Sequence, residues 1–194
     1  LLHVPQWAVS TPSPLHAADL AGAGVRLGEV AVAGGDTFWT EGRAAARGRT
    51  VLVRRDASGT VRDASPAQAP DGGTFDVRSR AQEYGGGTFA VADGVVVASR
   101  KEDDRLYRFA VDGTDAAPLT PADGRRYADP AIDLARGLVY VVAEDHDEPG
   151  DYRTDPTTTL VAVPLDGRAA DDPAAVRTVL AGTDFVNAPR LSPD

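Results

Sequence analysis

The chain has 194 residues, of which 42% are apolar and 25% are charged, and its formal net charge is −9. This acidic balance argues against a nucleic-acid partner, because phosphate binding needs clustered lysine and arginine. The absence of cysteine excludes disulfide bonds, thiolate metal sites and a cysteine nucleophile. No apolar run reaches the 18 residues of a membrane-spanning helix, and residues 1–5 show no signal-peptide pattern. We therefore expect a cytoplasmic protein that binds neither nucleic acid nor a membrane.

The first 24 residues differ in texture from the rest of the chain. Residues 14–21 are rich in alanine and are followed by Gly22 and Gly24, which predicts one short helix in an N-terminal arm. From Val25 onward, short β-rich runs alternate with turn sequences, a pattern typical of an all-β fold. The runs cover residues 29–33, 37–40, 50–54, 60–63, 87–91, 95–99, 105–111, 131–134, 138–143, 159–164 and 176–180.

Turn sequences recur between these runs at a regular spacing. Asp-Gly and related pairs accept the positive φ angles of tight hairpins at low cost. Gly94 and Gly137 lie 43 residues apart, as do Tyr84 and Tyr127, and a third copy of the aromatic, Phe185, follows after a polar insertion. A repeat of about 40–45 residues with four short strands predicts a β-propeller blade.

The repeat predicts an all-β, incomplete β-propeller over residues 25–194. Three four-stranded blades cover about residues 25–83, 84–126 and 127–184, and residues 185–194 supply the first strand of a fourth blade. A propeller has at least four blades, so we expect the sequence to be a fragment of a longer protein. The uncovered edges of the first and last blades predict self-association.

A series of short motifs runs through the chain in a fixed order. The most specific is RAQEYGGG at residues 80–87, and the others are TPSPL at 11–15, VRLGE at 25–29, FWTEGR at 38–43, DRLY at 104–107, LTP at 119–121, RYAD at 126–129, EDH at 144–146 and FVNAPRLSPD at 185–194. Together they resemble the N-terminal propeller of the prolyl oligopeptidase family of serine peptidases, especially its acylaminoacyl peptidase and dipeptidyl aminopeptidase-like branch. The main departure is Gln82, where the family pattern has histidine.

The resemblance implies an architecture and a function. In that family, a seven-bladed propeller covers a C-terminal α/β-hydrolase domain that holds the catalytic serine, aspartate and histidine, and it admits only small or unstructured substrates. The chain would be the N-terminal part of the substrate-gating propeller of a peptidase that cleaves short peptides, of the aminoacyl or dipeptidyl type, without a metal or an organic cofactor. The alternative is a non-catalytic propeller that binds proteins or ligands, because a fold alone implies no function.

The residues themselves predict no catalytic group within this chain. None of the seven serines lies in the Gly-x-Ser-x-Gly frame that a hydrolase nucleophile requires. His3 and His16 lie in the N-terminal arm, and His146 ends a predicted strand, so no histidine is expected to face a serine. If the parent protein is a peptidase, its triad is expected in the hydrolase domain.

Two further motifs have competing interpretations. Residues 85–87 are three glycines, but neither a helix nor a lysine follows them, as a phosphate loop requires. We expect them to allow close backbone approach along the central channel. Residues 144–151 are densely acidic, and Pro149 breaks the spacing of an EF-hand loop. A solvated loop is the expected structure, and a weak calcium site is the alternative.

Glu83, Tyr84 and Arg105 are the candidate substrate-binding or interdomain residues. Polar groups near the channel could bind a peptide terminus or the hydrolase domain. The competing interpretation is that they hold the blades together, with Arg105 paired to Glu83 or Asp104, because a buried arginine is rarely unpaired. Trp39 is expected in the core between blades.

Overall fold

A computed structural model of the chain describes residues 24–146, 156–183 and 185–192. The helix predicted at residues 14–21 lies outside these ranges. Within them, no helix is both long enough and apolar enough to cross a lipid bilayer. The regular structure consists of strands and short 3₁₀ turns, which are found at Ala44–Ala46, Arg168–Ala170 and Pro173–Ala175.

The strands form three antiparallel sheets of four strands each, and in every sheet the strands pair in chain order. The first sheet contains β1 (Val25–Ala33), β2 (Asp36–Arg43), β3 (Arg49–Arg55) and β4 (Val61–Asp63). The second contains β5 (Phe89–Ala92), β6 (Val95–Ser99), β7 (Leu106–Ala110) and β8 (Ala117–Pro118). The third contains β9 (Arg126–Asp133), β10 (Leu138–Asp145), β11 (Thr157–Pro164) and β12 (Arg177–Leu180). The prediction of three four-stranded propeller blades is confirmed.

The hairpin between β5 and β6 shows why this sequence folds into blades. Asp93 and Gly94 form its turn with φ angles of 45° and 80°, a conformation that glycine adopts without steric cost. Directly after the turn, Val96 packs into the core shared with the first sheet, and Val97 packs into the core shared with the third. Because successive side chains of a strand point to opposite faces, this apolar run lets β6 stack on both neighbours.

An aromatic core fills the space between the first and second sheets, which we call the first junction. Phe38 of β2 and Phe109 of β7 are buried there. Phe75, from the connection between the two sheets, packs edge-on against Tyr107 and Phe109, with ring centroids 5.3 and 5.5 Å apart. Such rings bury a large apolar area and add a favourable edge-to-face contact.

The second and third sheets meet at the second junction, whose core is mainly aliphatic. Its buried residues are Val97, Leu106, Leu119, Tyr127, Val139, Val141, Ala143, Val161, Val163, Leu165 and Ala169. The regular alternation of buried valines along β10 and β11 places one face of the third sheet against the second sheet.

The expectation that Trp39 fills the core between these blades is wrong for the first junction. Phe38 occupies that core, and Trp39, the next residue of β2, therefore points to the opposite face of the sheet. Its indole nitrogen donates a hydrogen bond to Glu41 Oε1 at 2.9 Å.

Residues 185–192, the expected start of a fourth blade, pair with no strand in the described part of the chain. Two hydrogen bonds nevertheless fix the segment against the blades. Gln82 Nε2 donates to the carbonyl oxygen of Val186 at 3.4 Å, and Ala188 N donates to Asp129 Oδ2 at 3.2 Å. The segment therefore lies beside the turn that precedes β5 and beside β9.

Candidate functional site

Glu83 and Tyr84 lie in the turn that leads from the first sheet into β5. Gln82 and Glu83 have φ angles of 56° and 58°, in the left-handed region that residues with a side chain rarely adopt. The side chain of Tyr84, which follows them, is 98% exposed. The turn therefore holds Tyr84 at the surface of the described part of the chain.

The carboxylate of Glu83 is bound to the third sheet. Arg126 Nη1 donates to Glu83 Oε1 at 2.7 Å, and the same guanidinium donates to the carbonyl oxygen of Arg80 at 3.2 Å. The hydrogen bond from Arg126 lowers the pKa of Glu83 below its ordinary value. Glu83 therefore carries a negative charge at neutral pH and joins the turn to β9.

Arg105 has a different partner from the ones expected. Its Nε donates to the carbonyl oxygen of Thr120 at 2.7 Å, and the side chain is half-buried. Asp104 pairs instead with Arg80, and Glu83 pairs with Arg126, so the predicted pairing of Arg105 is wrong. Glu83 and Tyr84 thus lie next to each other in one turn, whereas Arg105, just before β7, is bound to Thr120.

The acidic stretch at residues 144–151 is described only as far as His146. Glu144 is buried, and its two carboxylate oxygens each accept a hydrogen bond from Gln82 N at 3.0 Å. His146 Nε2 lies 3.2 Å and Arg126 Nη1 lies 3.9 Å from Glu144 Oε2. Across the described ranges, no group of three or more histidine, cysteine, aspartate or glutamate residues is placed to hold a metal ion. Glu144 therefore fastens the strained turn to the third sheet.

The glycine run before β5 packs directly against β9. Gly87 N donates to Asp129 Oδ1, and Asp129 N donates to the carbonyl oxygen of Gly87, both at 2.6 Å. A Cβ atom at Gly87 would lie 2.5 Å from Asp129 Oδ1, and one at Gly86 would lie 2.8 Å from the Cβ of Ala128. The interpretation of these glycines as residues that permit close backbone approach is confirmed.

The buried serine hydroxyls nearby serve the structure. Ser79 Oγ and Ser99 Oγ both donate to the carbonyl oxygen of Tyr127, at 2.7 and 2.8 Å. A hydroxyl that is buried and bonded to a backbone carbonyl has no base beside it to make it a nucleophile. These two serines join the second sheet region to β9.

Sequence reasoning missed Glu29, which a β-bulge in β1 turns towards the second sheet. Leu27 pairs with Glu41 and Val30 with Trp39, so Gly28 and Glu29 together oppose a single residue of β2. Glu29 Oε2 accepts a hydrogen bond from Thr88 N at 2.8 Å, and Oε1 accepts one from Thr88 Oγ1 at 2.9 Å.

Burial raises the pKa of Glu29 above its ordinary value, and the hydrogen bonds from Thr88 act in the opposite direction. Gly28 within a strand-like sequence was the only available signal, because an isolated strand glycine is typical of a bulge.

A groove of about 590 Å³ lies next to Glu29, between the first sheet and residues 77–88. Charged side chains line it at Arg26, Glu29 and Arg78, and Tyr84 stands at its border. The remaining lining is mostly glycine and threonine, which leaves backbone groups accessible. Its volume lies in the range of small-ligand sites, whereas its lining has few of the apolar side chains that are usual in such sites.

No family model matches the chain, and no curated protein matches it. Solved structures do match. The crystal structure of puromycin hydrolase is 38% identical in sequence with a TM-score of 0.80, and the match covers 94% of this chain and 28% of that chain. A puromycin hydrolase mutant complexed with PGG has a TM-score of 0.82, and a puromycin-hydrolyzing peptidase of Mycobacterium tuberculosis has one of 0.78, each with the same identity and coverage.

The chain spans only 28% of the length of these proteins. The similarity nevertheless extends over nearly all of the chain and includes both sequence and fold. The three four-stranded sheets correspond to blades of the N-terminal propeller of those proteins. In both sequence and fold, the chain is therefore similar to the N-terminal propeller domain of peptidases of the prolyl oligopeptidase family.

Proposed function

We propose that the chain is the N-terminal part of a propeller that controls the access of short peptides to the active site of a serine peptidase. The observation that carries this proposal is the 38% identity to puromycin hydrolase over 94% of the chain. The rest of that protein has no counterpart in this chain. We therefore assign the chemistry to a C-terminal α/β-hydrolase domain of the parent protein, which acts through an acyl-enzyme and without metal or cofactor.

We also propose the substrate class and the location. All three of these similar structures are named for puromycin hydrolysis, and one of them is a complex with PGG. These names support aminoacyl compounds and short peptides as substrates, in a cytoplasmic enzyme of the aminoacyl or dipeptidyl peptidase type. The binding of proteins or ligands by a non-catalytic propeller is the outcome that the experiment below must exclude.

Among the candidate contact residues, we propose that Glu83 and Tyr84 face the substrate or the hydrolase domain. The exposure of Tyr84 supports this role, because an aromatic ring that is 98% exposed contributes nothing to the core. The hydrogen bond from Arg126 holds Glu83 ionised, as recognition of a cation requires. Arg105, whose Nε is held by the carbonyl oxygen of Thr120, is proposed as a separate contact with the substrate or the hydrolase domain.

The test compares two polypeptides with chromogenic aminoacyl and dipeptidyl substrates. We expect no turnover by the 194-residue chain, and turnover by the polypeptide that continues through the hydrolase domain. Substitution of the elbow serine in the longer polypeptide is the matched control and should abolish hydrolysis. If the longer reading frame closes without a Gly-x-Ser-x-Gly elbow, or if the short chain hydrolyses the substrates after repurification, the proposal is wrong.

A further inference from the structure

One end of the groove contains a row of three residues that cross the first sheet. Arg26 of β1 pairs with Gly42 of β2, which pairs with Thr50 of β3, so the three lie side by side on one face. The same face carries Phe38 further along and therefore points into the first junction. At Gly42, an added Cβ atom would meet only Arg26, at 3.5 Å from its Cβ and 3.8 Å from its carbonyl oxygen. The middle of the row therefore carries no side chain and has room for at least one Cβ atom.

Guanidinium groups stand on both sides of this open position. Arg78 donates from Nη2 to Thr50 Oγ1 at 3.2 Å and to the carbonyl oxygen of Gly48 at 2.9 Å, which places it at the β3 end of the row. The same Nη2 lies 3.7 Å from Oδ2 of the buried Asp76, so this guanidinium already has one anionic partner. Arg26 stands at the β1 end, is exposed, and has no ion pair with another described residue. Neighbouring strands lie about 4.8 Å apart, so an anion seated above Gly42 would lie one strand away from Arg26 and one strand away from Thr50, to which Arg78 is bonded.

The other end of the groove carries the opposite charge. The β-bulge at Gly28 puts Glu29 on the same face as Arg26, three residues further along β1. Three strand residues cover about 10 Å, and an extended tripeptide has a similar length. Each carboxylate oxygen of Glu29 accepts one hydrogen bond from Thr88, and a carboxylate oxygen has two acceptor positions. The backbone of Phe89 also interacts with this carboxylate, so at least one acceptor position remains for a ligand.

We propose that this groove binds a short peptide in its zwitterionic form, with the C-terminal carboxylate above Gly42 and the α-ammonium group at Glu29. Arg26 and Arg78 flank the carboxylate and supply charge-assisted hydrogen bonds. The choice of a peptide as ligand rests on the proposed function, whereas the requirement for opposite charges at the two ends rests on the groove alone.

The first experiment uses the unmodified chain and three peptides in isothermal titration calorimetry. Trialanine with both termini free should bind about tenfold more tightly than trialanine amide, and about tenfold more tightly than N-acetyl trialanine. Each modified peptide lacks one terminal charge and keeps the rest of the molecule. Equal binding of all three peptides, or no binding of any, would overturn the proposal. Displacement of trialanine by an equal concentration of inorganic phosphate would also overturn it, because the site would then bind anions in general.

The second experiment uses substitutions in the groove. Arg26→Gln should remove the tenfold preference for the free carboxylate, and Gly42→Val should do the same by filling the carboxylate position with a residue that favours strands. Arg177→Gln is the matched control, because Arg177 is exposed on β12 outside the groove and the substitution removes the same charge. A preference that survives Arg26→Gln and Gly42→Val would contradict the assignment.

The two proposals fail in different ways. Absence of a charge preference in the unmodified chain would overturn this inference and leave peptide hydrolysis by the longer polypeptide untouched. Absence of hydrolysis by the longer polypeptide would overturn the proposed function and leave the calorimetric result standing.

Discussion

The two junctions between the sheets are closed by acidic residues of different length. At the second junction, Asp129 of β9 accepts a hydrogen bond from Gly87 N, and the two backbones touch. At the first junction, Glu29 of β1 reaches Thr88 through its longer side chain. A side-chain bridge keeps the backbones further apart than a direct backbone contact does. The comparison shows how side-chain length affects a junction. The short carboxylate of Asp129, facing Gly87, closes the second junction, whereas the longer carboxylate of Glu29, facing Thr88, leaves a groove beside the first.

The cores below these closures differ as well. The first junction needs Phe75 from the connecting segment to fill its space, whereas the second is filled by side chains of the sheets and their nearest loops. Through the ring of Phe75, the segment that connects the first and second sheets is part of the core. The first junction should therefore depend on its connecting segment more strongly than the second does.

The largest effect is expected from Phe75→Ala, which would break this dependence. Phe75 is buried and contacts the rings of Tyr107 and Phe109. Its removal should lower the free energy of unfolding by about 3–5 kcal/mol, through lost burial and a cavity. Urea unfolding followed by circular dichroism measures the change. Phe185→Ala, at a residue that is 77% exposed, is the control and should change stability by less than about 0.5 kcal/mol. A similar loss in both variants would show that Phe75 is not part of a packed junction.

The next effect concerns the ion cluster that holds the connecting segment in place. The side chain of Arg100 is only 3% exposed; its guanidinium lies 2.8 Å from Asp71 and 2.9 Å from Asp103, and it donates to the carbonyl oxygen of Thr74 at 2.9 Å. Arg100→Met should cost about 2 kcal/mol, because it removes the charge-assisted hydrogen bonds of a buried guanidinium, whereas the exposed Asp71 and Thr74 can bind water in its place.

Arg168→Met is the control for this substitution. Arg168 is paired with Asp166, and both side chains are more than half exposed. Exposed ion pairs contribute less than about 1 kcal/mol, so this variant should unfold at nearly the same urea concentration as the unmodified chain. If the two variants lose equal stability, the buried cluster adds nothing to the first junction.

A smaller effect is expected from a pair of glycine substitutions, one at each junction. Gly87→Ala would place a Cβ atom 2.5 Å from Asp129 Oδ1 and should cost about 1–3 kcal/mol, because the Asp129 side chain must shift and its hydrogen bond from Gly87 N is strained or lost. Gly42→Ala meets only an ordinary contact with Arg26 at 3.5 Å and should be neutral within about 0.5 kcal/mol, or slightly stabilising. The measurement is the urea concentration at the unfolding midpoint of each variant, which should be lower for Gly87→Ala than for Gly42→Ala. Equal midpoints would mean that the second junction is not closed by direct backbone contact.

Much of the fold could be predicted from the sequence, because its signals are local. Turn sequences such as Asp93-Gly94 fix hairpins through backbone conformation, and the run around Val96 identifies a strand that is buried on both faces. The neighbouring pair Phe38 and Trp39 shows the limit of this reasoning. Because side chains alternate along a strand, Phe38 and Trp39 must point to opposite faces of the sheet. The sequence does not reveal which of the two points into the first junction.

The site was less predictable, because it depends on contacts between distant segments. The carboxylate of Asp104 pairs with Arg80, 24 residues earlier in the chain, and not with the adjacent Arg105, and proximity in sequence does not reveal such a partner. Glu29 was missed because a single inserted residue reverses the alternation of β1. The reversed alternation of side chains along β1 can be recognised only when the pairing of β1 with β2 is known.

The smallest effect is a dependence on pH that separates Glu29 from Glu83. Burial raises the pKa of Glu29, so the folded chain holds its proton to a higher pH than the unfolded chain does. Its contribution is therefore present below the ordinary glutamate pKa of about 4.3 and is lost as the pH rises through the raised value. Arg126 lowers the pKa of Glu83, so the contribution of Glu83 is present above the ordinary value and is lost as the pH falls.

The free energies of unfolding of Glu29→Gln and Glu83→Gln, measured at pH 4 and pH 7, should therefore change in opposite directions relative to the unmodified chain. Between pH 4 and pH 7, Glu29→Gln should gain stability relative to the unmodified chain, and Glu83→Gln should lose it. The two variants remove the same charge, so changes in overall repulsion cancel when they are compared. Parallel changes would show that Glu29 is hydrated in the folded chain, and the first junction would then be open to water even at the bridge that Glu29 makes to Thr88.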